Sequence, residues 1–99
     1  MTKENPNFVD AIAILAKEMN SLIDSYVISL KQEIDDIINS KTKDFNKIER
    51  TLDSLLDCVF MDRGHEEFKR LNEYYETVNK NSAGHYWQYY AEQVKDLES

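Results

Sequence analysis

A single cysteine, Cys58, excludes an internal disulfide framework and a cysteine-based zinc cage. One proline and two glycines leave little material for β-hairpins or a β-sandwich, and Gly64 and Gly84 stand too far apart to build a phosphate-cradling loop. No apolar run approaches the roughly 18–20 residues that a membrane span needs, and the opening Met1-Thr2-Lys3-Glu4-Asn5-Pro6 has no apolar leader core, so a cytoplasmic protein is expected. Basic residues are also in short supply. The chain has 12 Lys+Arg against 19 Asp+Glu, a formal net charge of −7 over 99 residues. The deficit has no basic counterpart elsewhere: residues 1–40 hold three Lys against seven acids, residues 41–63 five cations against five acids, and residues 64–99 four against seven. Phosphate backbones are bound by Lys and Arg displacing counterions, so direct nucleic-acid binding is not expected.

What the chain does have is 41% hydrophobic residues, enough for one small core and too many for a disordered acidic tail. These residues recur with helical spacing. Phe8, Ile12, Leu15, Met19, Leu22, Ile23, Tyr26, Leu30, Ile34, Ile37 and Ile38 step by threes and fours, which predicts one long helix over about 7–39 with Asn5 as its cap and Pro6 in its first turn. Such a helix is about 50 Å long, so either two later helices stack end to end against it or a second chain covers part of it. A second helix is predicted over about 44–61, capped by Thr42 or Asp44, with Phe45, Ile48, Leu52, Leu55, Leu56, Val59 and Phe60 inward and Gly64 ending it in a left-handed turn. A third spans about 65–78, with Phe68, Leu71, Tyr74, Tyr75 and Val78 inward. A fourth spans about 83–97 behind a Ser82 cap, with Tyr86, Trp87, Tyr90, Ala91, Val94 and Leu97 inward. Short connections make neighbours antiparallel. The expected fold is all-α: a single domain, residues 1–99, forming an antiparallel bundle of about four helices with a long first helix.

Leu55-Leu56-Asp57, Phe68-Lys69-Arg70-Leu71, Tyr74-Tyr75 and the Tyr86/Tyr90 pair give residues 52–96 a likeness to a known group. In these motifs the chain resembles small helical proteins of mobile elements (phage, plasmid or conjugative element) in low-GC Gram-positive bacteria. The resemblance implies a genetic setting and carries no activity with it.

Catalytic chemistry finds few residues. His65-Glu66-Glu67-Phe68-Lys69 starts like a zinc-protease helix but has Lys69 where the second histidine must stand. His65 and His85, with Glu66, Glu73 or Glu76, offer at most a weak divalent site, and capping or surface roles account for both histidines. Cys58 sits between core positions and reads as packing. The expectation is therefore a non-enzyme with no catalytic, cofactor or metal residues. Two surfaces remain as binding candidates. Ile14, Ser21 and Ile28 are spaced seven apart on the back of the first helix, a narrow seam that could join two copies into a homodimer. Seven of the 11 aromatics (Phe68, Tyr74, Tyr75, Tyr86, Trp87, Tyr89 and Tyr90) lie in residues 64–99, and one face of the fourth helix cannot bury all of its rings. Tyr86, Trp87 and Tyr89, with Glu73 and Glu76, are the expected partner contacts, since large rings dominate binding hot spots. The expected function is that of an acidic inhibitor or immunity-type protein, for example a mobile-element anti-defence protein occupying a basic, nucleic-acid-binding surface of a partner protein. The alternative is a structural or regulatory homodimer.

Overall fold

The computed structural model describes the backbone of residues 4–98 and the side chains of residues 9–98. Phe8, assigned to the first apolar stripe, lies outside the described side chains. Four helices follow one another: α1 (Glu4–Ser40), α2 (Phe45–Phe60), α3 (His65–Val78) and α4 (Lys80–Glu98). They form an all-α bundle in which α2 and α3 pack on α1, and α4 closes over α2 and α3 from the other side.

Local chemistry sets the helix ends. Lys41 takes a left-handed φ of 54°, and the N–H groups of Lys41 and Thr42 return to the carbonyls of Ile38 and Ile37, so α1 closes in a Schellman motif. Asp44, not Thr42, caps α2, accepting from the N–H groups of Asn46 and Lys47 at 3.1 and 3.4 Å. The same C-terminal motif ends α2, but its left-handed residue is Asp62 (φ 61°), whose N–H reaches Val59 while that of Arg63 reaches Cys58. Gly64, expected to end α2, instead leads into α3 with φ 76°, and a Cβ there would lie 3.3 Å from the Cys58 Cβ. Two predicted starts shift. Asn5 lies inside α1, with Pro6 still in the first turn, where a missing N–H is harmless. Helix α4 begins at Lys80 because the Asn79 side chain accepts from the Ser82 N–H at 3.1 Å, taking the role assigned to Ser82.

The core gathers Leu30, Ile34 and Ile37 of α1 with Ile48, Leu52, Leu55, Cys58 and Val59 of α2, then Phe68, Leu71 and Tyr75 of α3 and Ala83 and Tyr86 of α4. Asn72 is buried among them; its Nδ2 donates to the Ala83 carbonyl at 3.0 Å, and its Oδ1 has no partner among the described residues. Phe45 and Phe60 were expected inward but are exposed, because each lies at an end of α2 beyond the neighbours that cover its middle. Leu97 is exposed for the same reason at the end of α4, whereas Ala91 is exposed because it lies off the face that Ala83, Tyr86, Tyr90 and Val94 turn inward.

The first helix behaves as two objects. Its C-terminal part is core. From Val9 to Tyr26 it runs past the bundle, leaving Ile12, Leu15, Met19, Leu22 and Tyr26 about half or more in solvent. The molecule therefore measures 62 × 30 × 18 Å, with a radius of gyration of 17.3 Å, where a compact chain of this length has about 13 Å. No end-to-end stack of later helices covers α1. Among the described residues no helix is long and apolar enough to cross a membrane.

Candidate protein-binding surface

The histidines do not form a site together. His65 begins α3, and both its ring nitrogens are engaged: Nδ1 lies 2.9 Å from the Tyr90 hydroxyl and Nε2 lies 2.7 Å from Asp62 Oδ1. A carboxylate takes an N–H, so Nε2 donates to Asp62, and in the neutral ring Nδ1 then accepts from the Tyr90 hydroxyl. The chain of groups resembles a catalytic relay only on paper. The Tyr90 ring is stacked on Phe68 with centroids 4.9 Å apart, and the hydrogen bonds pin α4 to the corner between α2 and α3. His85 is exposed on α4. Among the described residues, no three His, Cys, Asp or Glu side chains gather where they could hold a metal. The Cys58 thiol is buried, and its pKa is raised first by desolvation and then by Asp57 and Glu67, which disfavours the thiolate needed for reactivity.

Two buried tyrosines join the bundle to carboxylates on α2. The Tyr75 hydroxyl donates to Glu49 Oε2 at 2.5 Å, and its pKa rises to about 12 through burial and that hydrogen bond. Tyr86 donates to Asp53 Oδ1 at 2.8 Å and is likewise pushed upward, chiefly by burial. Glu49 and Asp53 are one helical turn apart, so successive turns of α2 receive successive phenols. This placement removes Tyr86 from the list of partner contacts: only 8% exposed, it is a core residue with its hydroxyl already committed. Its position opposite Tyr75, with ring centroids 6.3 Å apart, is the reason.

Trp87 is half-buried, edge-on to Phe68, and its indole N–H donates to Glu76 Oε2 at 2.8 Å. Glu76 and Glu73 are exposed on α3. Tyr89 is 47% exposed on α4 and does not join them. It opens instead onto a groove of about 900 Å³ between α2 and α4, lined by Asp53, Asp57, Glu92 and Asp96, with Lys95 as the one cation and Phe60 and Leu56 as apolar wall. The expected aromatic–acidic surface is thus divided: Trp87 and Glu76 close on each other, while Tyr89 is held among carboxylates that the sequence reading did not single out. A signal was present. Asp53/Asp57 and Glu92/Asp96 are both spaced four apart, which puts each pair on one helix face, but only tertiary packing turns the two faces toward one groove. Ile14, Ser21 and Ile28 are all exposed on α1.

No protein-family model matches the chain, and neither a curated protein nor a solved structure matches it.

Proposed function

We propose that this chain is a non-catalytic protein-binding module that seats its acidic α2–α4 groove on a basic surface of another protein. One observation carries the reading: four carboxylates line the same groove as the half-exposed rings of Tyr89 and Phe60. Two carboxylates on α2 face two on α4 across the groove and outnumber its one lysine, Lys95, so the groove favours a cationic partner and steers the encounter. The rings supply the packing area that charge alone lacks. A surface built to bind phosphates is the basic surface such a groove fits, so the partner is a nucleic-acid-binding protein and the outcome is inhibition or immunity. The resemblance of residues 52–96 to mobile-element proteins agrees with an anti-defence role in the cytoplasm.

The test is a partner captured from the native host and titrated against the purified chain at low and high salt. Affinity is expected to fall more than tenfold between about 50 and about 500 mM salt. Asp57→Asn with Asp96→Asn, and separately Tyr89→Ala, are expected to weaken binding, whereas Glu73→Gln with Glu76→Gln leaves it unchanged. Salt-independent affinity overturns the electrostatic reading. A partner that binds nucleic acid equally well with the chain attached overturns the inhibitor reading.

A further inference from the structure

Between Val9 and Tyr26 the stem of α1 is an apolar helix with nothing packed along most of its length. Ile12, Leu15, Met19, Leu22 and Tyr26 alternate steps of three and four, the a and d positions of a coiled-coil heptad, and all five are exposed. On one flank the e positions are Val9, Ala16 and Ile23, small or apolar throughout. The charges Asp10, Lys17 and Asp24 fall at f, away from the seam. We infer that the stem is a homodimerisation helix that pairs antiparallel with the stem of a second copy of this chain.

Three observations select a second copy over another occupant. The first is register. Antiparallel coils match a against d, and a two-fold axis at Lys17 sets Ile12 against the partner's Leu22 and Leu15 against the partner's Met19 in unbroken layers. On the e flank the same axis places Ala16 against the partner's Ala16 and Val9 against the partner's Ile23, so the seam complements itself. The second is area. Six large apolar residues (Val9, Ile12, Leu15, Met19, Leu22 and Tyr26), each about half or more exposed, leave on the order of 600 Å² of apolar surface, the upper end for a monomer's largest patch. Two stems together bury on the order of 1,200 Å², where stable interfaces begin. The third is direction. An apolar notch of about 250 Å³ lies where Leu22, Ile23 and Tyr26 meet Asp57, Cys58 and Met61, so the end of α2 already occupies the seam side of α1 below Tyr26. Parallel stems would drive two α2 helices into the same space. Antiparallel stems send the two bundles to opposite ends, and Val9 to Ile12 of each copy lie level with the notch of the other.

The arrangement has one unfavourable contact that makes it testable. Glu18, at g, faces the partner's Glu18 across the two-fold axis. Ile14, Ser21 and Ile28 lie at c, on the far side of the stem, and take no part. Sedimentation equilibrium is expected to give twice the 11.7 kDa chain mass at roughly 100 µM. Ile12→Glu with Leu15→Glu is expected to give monomers whose bundle unfolds as before, since neither residue belongs to the core; Ile14→Glu with Ile28→Glu is expected to stay dimeric. Glu18→Gln is expected to tighten the dimer several-fold, and Ala16→Cys to form a disulfide-linked dimer on oxidation. A monomeric wild type overturns the inference, including one that binds vesicles or a different protein through the stem. So does a dimer that survives the Ile12/Leu15 change or is lost with the Ile14/Ile28 change. Failure of Ala16→Cys to cross-link, or no tightening by Glu18→Gln, overturns the antiparallel register. None of these readouts depends on the α2–α4 groove.

Discussion

The two halves of α1 carry the same three-and-four apolar spacing and meet opposite fates. Ile34 and Ile37 have no solvent exposure, while Leu15 and Leu22 are 59% and 69% exposed. Their own residues do not explain the contrast. Helix α1 has 37 residues, but α2 and α3 have 16 and 14. At 1.5 Å per residue, a helix about 55 Å long is matched by partners of about 24 and 21 Å. The partners run out before the stripe does. An apolar periodicity thus declares that a face will be buried without saying by what, and in this protein the answer differs between the two ends of one helix.

That contrast can be broken or sharpened by mutation, and the largest effect belongs in the bundle. Phe68 is fully buried and touches the rings of Trp87 and Tyr90, so Phe68→Ala is expected to cost about 3–5 kcal/mol in chemical denaturation, enough to unfold a marginal domain. Next comes Asn72→Ala, which removes the buried hydrogen bond that the Asn72 side-chain amide donates to the Ala83 carbonyl and should cost about 1–3 kcal/mol, separating α4 from the rest first in hydrogen exchange.

Alkaline pH probes the same region. The fold favours the neutral Tyr75 phenol, raising its pKa from 10.0 to about 12. A raised pKa gives stability that is fully present below pH 10 and lost as pH climbs from 10 toward 12, on the order of 2 kcal/mol. Denaturation midpoints across that window should fall for the wild type, and Tyr75→Phe should flatten Tyr75's part of the fall. Surface ion pairs come lower. Arg70 reaches Asp35 at 2.6 Å with both side chains about half exposed, so Arg70→Ala is expected to cost less than about 1 kcal/mol, and less again in high salt. The stem comes last. In dilute solution Leu15→Ala should leave the bundle's unfolding unchanged to within ~0.5 kcal/mol; a large loss there would mean that the stem folds back on the bundle, erasing the contrast between the halves.

The fold was largely legible from spacing because helical stripes at Ile48/Leu52/Leu55/Val59 and Phe68/Leu71/Tyr75 are local signals, as are capping residues such as Asp44. The misassigned ends have local causes too: Asn79 and Ser82 are both competent caps, and which one closes the helix depends on backbone angles that spacing does not encode. The site was less legible. Tyr89 could be picked out because its neighbours on α4 claim the inward face. Tyr86 reads from spacing both as inward and as a contact, and the choice between them rests on Tyr75 and Asp53, which lie on two other helices. The groove carboxylates needed two helices brought side by side before their spacing meant anything. Buried Asn72 gave no signal, since a polar residue between Leu71 and Glu73 reads as surface until α4 covers it.

By itself the sequence determined four amphipathic helices, their approximate ends and an acidic coat, because periodicity, caps and charge are properties of the nearest few residues. Only tertiary structure decided which part of the long apolar stripe would be covered, which tyrosines would be consumed in the core, and which carboxylates would share a groove. Those outcomes depend on the relative lengths and placement of helices far apart in the chain, and no local pattern contains them.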